Sequence, residues 1–272
     1  MIQKYYGLST SKLHKCVYDL HVAKSNEDIC AICLHGFGEN RSYYNSLAAQ
    51  LSYFVTTACV DFVGHGDSDY LNYGEYSLTV LIRDIVCLLN HLKMKKVILI
   101  GSGLGGLISM IMSGYENTIV KAAVITDVHK ICDESFFANR PSVKQNFLDL
   151  IWSNKFSKYK SDENFISSIK DELENDRKLK NGGVYKTIVT KQKDENLNNT
   201  TYLYDFSHYW NNCNVPVLVL QNKKEKKMNF DLQKAEFINY DVVNKFSIMY
   251  ADEVVHDVCK WLKAILEGKS VS

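Results

Sequence analysis

The chain has 272 residues, enough for one large α/β core with an insertion, and its 32 basic and 31 acidic side chains nearly cancel. That balance excludes the strong one-signed field through which nucleic acid or a charged membrane surface would bind, so neither is expected as a partner. No apolar run approaches the ~20 residues that span a bilayer, and Met1-Ile-Gln-Lys-Tyr-Tyr-Gly7 lacks the charged-then-apolar pattern of a leader, which points to a cytoplasmic location.

Taken in order, residues 14–23 and 29–34 read as the first strands, the second being a continuous apolar run of the buried kind. It ends in the glycine-rich turn His35-Gly-Phe-Gly-Glu-Asn40. Apolar spacing then predicts a helix over 43–51, a strand over 55–60 running into Asp61-Phe-Val-Gly-His-Gly-Asp-Ser68, and an amphipathic helix over 77–92 with Ser77 as its N-cap. Residues 97–112 form a strand, a glycine cluster and a helix; a further strand over 119–126 stops at Asp127. From 129 to 210 strand-like runs vanish and the stretch is charged and helical, Phe165, Ile169 and Leu173 making a narrow apolar stripe. It reads as a helical cap inserted over a core of 1–128 and 211–272. A strand over 215–220, another at Ala235–Tyr240 and a terminal helix at Asp252–Leu266 complete the chain. Alternation of this kind predicts a mainly parallel sheet covered on both faces, with ligands gathered at the carboxyl ends of its strands. His35, Asp61, the Gly101 turn and Asp127 all fall at such ends.

Of the eight cysteines, Cys16, Cys33, Cys59, Cys87 and Cys259 lie in apolar patterns, where the thiol packs as a small hydrophobe. Cys30-Ala-Ile-Cys33 has redox spacing, but on a strand a separation of three sends the two thiols to opposite faces. No second pair or nearby His-x-x-His completes a zinc site, so no metal is expected.

The glycine cluster admits two readings. Gly101, Gly103 and Gly106 match the dinucleotide fingerprint G-x-G-x-x-G, with Asp127 as the acidic residue beyond the next strand. Alternatively, Gly101, Gly105 and Gly106 are the small residues of a nucleophile elbow, G-x-S-x-G, whose central serine is replaced by Gly103. Ser102 lies one residue early and points elsewhere.

The other motifs favour the second reading. Leu34-His-Gly-Phe-Gly38 is similar to the HGxG turn of the α/β-hydrolase superfamily, Asp61-x-x-Gly64-His-Gly-Asp-Ser68 to its D-x-x-G-x-G-x-S motif, and residues 97–106 to its elbow. They occur in that family's order, and residues 215–220 resemble the strand before its catalytic acid. The resemblance implies the α/β-hydrolase fold, with His35, Gly36, Phe37, Gly38 and Leu104 around an oxyanion pocket and His35 and His65 in structural roles. It also implies a serine, a histidine and an acid, and this chain departs there. Gly103 stands in the nucleophile slot. The acid slot falls on Glu225 or, with a different gap, on Lys226, and Lys245 falls where the histidine is expected; no histidine occurs from 209 to 255. His256, like Ser102 an outside candidate, shares a helical face with Lys260, Lys263 and Glu267 and is expected to face solvent. The expectation is a pseudo-hydrolase that binds a small acyl or hydrophobic ligand without a cofactor. The alternatives are an ester hydrolase with unorthodox catalytic residues and, more remotely, a nucleotide-binding oxidoreductase. The sequence leaves the oligomeric state open.

Overall fold

The computed structural model describes residues 2–8, 13–24, 28–36, 39–71, 78–114, 119–128, 131–132, 204–205, 207–222, 235–240 and 251–268. Ten strands and five α-helices fall among them: β1 (Ile2–Leu8), β2 (Leu13–His21), β3 (Ile29–Leu34), α1 (Asn45–Leu51), β4 (Thr56–Asp61), α2 (Leu78–Leu92), β5 (Lys96–Ser102), α3 (Leu104–Gly114), β6 (Val120–Thr126), β7 (Ile131–Cys132), β8 (Tyr204–Asp205), α4 (Ser207–Asn211), β9 (Val217–Asn222), β10 (Ala235–Tyr240) and α5 (Asp252–Leu266).

Eight strands make one sheet in the order β1-β2-β4-β3-β5-β6-β9-β10. β2 runs antiparallel to both β1 and β4, and the remaining pairs are parallel. The fold class read from the sequence is therefore observed. β1 lies in the stretch read only for a leader pattern; its exposed Ile2 and Tyr6 alternate with buried Tyr5, the period-two signal of an edge strand. β7 and β8 form a separate antiparallel pair within 129–210, a stretch in which no strand is expected from sequence. They have two residues each, too short for a periodic signal. The Phe165–Ile169–Leu173 stripe and the Ser77 cap lie outside the described residues.

The centre of the sheet is buried on both faces because β3 is apolar and buried at every position and β5 is buried at every position after Lys96. Cys30, Ile32 and Leu34 join Val97, Leu99, Leu81, Ile85 and Leu88 in one core, while Ile29, Ala31 and Cys33 join Ile98, Ile100, Leu47, Leu51, Val258 and Leu262 in the other. Cys30 and Cys33 thus part to opposite faces as the strand period requires. A third cluster sets Met110 and Ile111 of α3 against Ala123, Ile125, Val219 and Trp210. Each fully buried Leu or Ile contributes roughly 1.5–3 kcal/mol. Register then places the site: Leu34 pairs with both Val60 and Gly101, and Ser102 pairs with Thr126. The residues just past these positions, His35, Asp61, Gly103 and Asp127, emerge together at one edge of the sheet.

Candidate functional site

The elbow is a strand-to-helix turn whose apex is Gly103, at φ +51°. Gly103 N–H donates to the Thr126 carbonyl at 3.0 Å, its carbonyl accepts from Leu107 N–H at 2.9 Å, and Gly105 N–H donates to the His35 carbonyl at 3.1 Å. The surrounding glycines are sterically required. A β carbon on Gly101 would overlap the Gly105 carbonyl, one on Gly105 the Leu34 carbonyl, and one on Gly106 the Val128 side chain. Gly103 differs: a β carbon there would lie 3.7 Å from Gly36 Cα and 3.8 Å from an Asp127 carboxyl oxygen, in ordinary contact. The apex has room for a side chain and carries none. Leu104 opens α3, so its N–H is one that the start of a helix leaves without an intrahelical partner.

The neighbouring turn is held from several sides. His35 is fully buried; Phe62 N–H donates to its Nε2 at 3.1 Å, which fixes the proton on Nδ1, where it is donated to the Gly36 carbonyl at 2.7 Å. Its ring lies 4.8 Å from Phe62 and 5.0 Å from His65. Burial holds His35 well below the usual imidazole range, with His65 adding to the effect, and burial lowers His65 to about 4. Both are engaged in the scaffold and neither sits free as a base. Glu39, which sequence reasoning passed over, accepts from Gly36 N–H at 2.7 Å and braces the same turn. Its only signal in the sequence is an acid closing the glycine-rich run.

Asp61 organises the second motif. Its buried carboxylate accepts from Arg41 N–H at 2.7 Å, from Asp67 N–H at 2.9 Å and from the Arg41 guanidinium, which also donates to Asp19 at 3.0 Å and Asp67 at 2.7 Å. Burial raises the Asp61 carboxyl to about 6 against the pull of that guanidinium. Ser68 Oγ donates to the Asp61 carbonyl and accepts from Val17 N–H, each at 2.8 Å, tying β2 to the end of β4. These residues hold the strand ends in place.

Among the described candidates, Ser102 is a buried strand residue in register with Thr126, one position before the apex. His256 is exposed on α5, whose Val254, Val258, Trp261 and Leu262 are buried. Asp127, at φ +55°, turns its carboxyl group toward the apex. Phe37, Gly38, Glu225 and Lys245 lie outside the described residues.

The two imidazoles give a pH dependence. An unfolded histidine titrates near 6.5, whereas His65 in the fold waits until about 4 and His35 also lies well below 6.5. Between those limits the unfolded chain binds more protons, so stability is full above pH 6.5 and falls as pH falls. Asp61, raised from 3.8 to about 6, opposes this over its own window. Two imidazoles against one carboxyl leave a net loss of stability as pH falls from 6.5 toward 5. Calorimetric midpoints measured from pH 7.5 down to 5 should fall steadily; a flat profile would contradict the buried neutral histidines.

A family model described as alpha/beta hydrolase fold matches residues 32–237. The 3-hydroxybutyrate-oligomer hydrolase of Cupriavidus necator is 27% identical over 122 residues, covering 44% of this chain and 41% of that protein. The chain spans less than half the length of the curated relatives it matches. A thermophilic esterase from Thermogutta terrifontis superposes with a TM-score of 0.74 at 14% identity, over 97% of this chain and 99% of the other. The enol-lactonase from Burkholderia xenovorans gives 0.70 at 15% identity, over 96% and 99%. At such identities the structural likeness concerns the fold.

Proposed function

Because the chain belongs to the α/β-hydrolase fold family, we propose that it is a pseudo-hydrolase, keeping the family's elbow as a binding site for a small neutral acyl compound. The observation that carries this reading is Gly103: the apex keeps its positive φ, its flanking glycines and its open space, but has no hydroxyl to attack a carbonyl. A serine in that conformation costs about 1–3 kcal/mol of backbone strain, so a chain released from catalysis gains stability by changing it to glycine. Family membership supports reading the Gly101–Gly103–Gly106 pattern as this elbow in preference to a dinucleotide turn.

What remains supports binding. The Leu104 N–H at the start of α3 is a donor for a carbonyl oxygen, and the Phe37 N–H is its expected partner. The Asp127 carboxyl group beside the apex disfavours a second carboxylate there, which favours a neutral amide or ester over a free acid anion. The ester chemistry named in the hydrolase and esterase relatives agrees with an acyl ligand.

Two experiments test this. Butyramide should raise the thermal midpoint and butyrate should do so far less, with the difference lost in Gly103→Leu, which fills the apex; no shift with any short acyl compound would overturn the binding role. Gly103→Ser should fold, since the side chain fits, and add no esterase turnover. A gain of about 100-fold or more would reveal a working general base and overturn the assignment of Lys245 to the histidine slot.

A further inference from the structure

Apart from the elbow, the β1–β2 hairpin and α2 enclose a cluster that the family's chemistry does not use. His14 and Cys16 are two apart on β2 and so share a face, and Asp84 reaches them from α2. His14 Nε2 lies 3.0 and 2.9 Å from the two Asp84 carboxyl oxygens, and Cys16 Sγ lies 3.7 Å from Asp84 Oδ2. One donor atom from each residue falls within 4.8 Å of the others. All three are at most 1% exposed. Tyr5, paired with Cys16 across the hairpin, is hydrogen-bonded to its thiol, and Gly7 is paired with His14. A β carbon on Gly7 would overlap both His14 and Asp84. The strand is opened at that position to admit the polar groups.

We infer that this pocket is a structural site for a zinc-class divalent cation, ligated by His14 Nε2, Cys16 Sγ and one Asp84 carboxyl oxygen, with the Tyr5 hydroxyl closing the fourth position. Bond lengths of 2.0–2.3 Å in a tetrahedron put ligand atoms about 3.3–3.8 Å apart. The sulfur–oxygen separation already fits, the imidazole–carboxylate separation needs to open by a few tenths of an ångström, and the imidazole–sulfur separation, within 4.8 Å, closes by a side-chain adjustment of up to about 1 Å on loading. A thiolate, an imidazole and a carboxylate form a set that selects zinc over magnesium or calcium. The thiolate and the carboxylate balance the two charges of the cation, leaving a neutral site among buried side chains. Loading expels the Cys16 proton and replaces the His14–Asp84 hydrogen bond with two metal bonds, so affinity rises with pH. With no open coordination position, the ion would pin the hairpin to α2 and would not catalyse. His-x-Cys on one strand was the signal available in the sequence; its third ligand lies some 70 residues on.

Cobalt(II) tests the site directly. The 272-residue chain refolded with cobalt should hold about one ion per chain and show tetrahedral visible bands together with a thiolate-to-cobalt charge-transfer band in the near ultraviolet. Cys16→Ser should lose the charge-transfer band, and His14→Gln should weaken binding at least tenfold. Zinc should raise the thermal midpoint of the wild-type chain and a chelator should reverse the rise. Should the histidine variant fail to fold, the Cys16→Ser spectrum and the wild-type midpoint still decide. A natively folded chain that takes up no cobalt, or one whose bound cobalt lacks a thiolate band and is unaffected by Cys16→Ser, would overturn the proposal and leave a buried His14–Asp84 pair.

Discussion

Gly105→Ala is expected to prevent stable folding, whereas Gly103→Ala, two residues away, should cost only roughly 1–2 kcal/mol, the penalty of a left-handed conformation for an L-residue. The first substitution drives a β carbon into the Leu34 carbonyl, where helix α3 crosses the end of β3. Backbone cannot yield there without breaking the Gly105 N–H to His35 carbonyl bond, so the loss should exceed about 4 kcal/mol. The second meets nothing closer than 3.7 Å. Urea denaturation of the two variants beside the wild-type chain reads the contrast. Equal, mild effects would mean that the elbow packs more loosely than the geometry shows; equal, severe effects would mean that the apex has no room for a side chain and never served as a nucleophile's seat.

Asp61→Ala is expected to cost about 3 kcal/mol, at the lower end of the range for breaking a buried ion pair. Burial pushes this carboxyl up to about 6, so the pair with Arg41 is a weak source of stability in itself. The damage comes from what truncation strands: the backbone N–H groups of Arg41 and Asp67 lose their acceptor. The guanidinium keeps Asp19 and Asp67 as partners, which holds the loss below the upper end. The same truncation at Asp28, paired with Lys95 at 2.7 Å in open solvent, should leave the denaturation midpoint unmoved. Asp61→Asn, which retains an acceptor oxygen, should recover part of the stability.

The residues that shape the elbow were legible because their chemistry is local. A run of β-branched residues, a glycine cluster and a 3.6-residue apolar period specify strand, turn and helix within 97–112, and the exact bounds of β10 and α5 follow from the same periodicities. Gly103 was legible as the apex of that turn for the same reason. The bracing groups were not. Glu39 and Arg41 look like ordinary solvated charges in sequence, and only the fold brings Arg41 to Asp61, 20 residues on, and closes Glu39 back onto Gly36. Asp84 sits within the apolar stripe of α2, where the pattern describes a face but not the two strand residues it meets. Asp127 stood out in the sequence only through its match to a dinucleotide fingerprint, whereas its place beside the apex of the elbow depends on the parallel β5–β6 register. Among the described residues no helix is long and apolar enough to cross a membrane.

The most direct measurement is steady-state hydrolysis of p-nitrophenyl acetate by the purified 272-residue chain and by Gly103→Ala and Ser102→Ala. If the apex has lost its nucleophile, all three should release nitrophenolate at the same slow rate, close to that of buffer. Turnover by the wild-type chain that either substitution abolishes would show that a hydroxyl or a water held at the elbow attacks the ester, and that the site is an enzyme's after all.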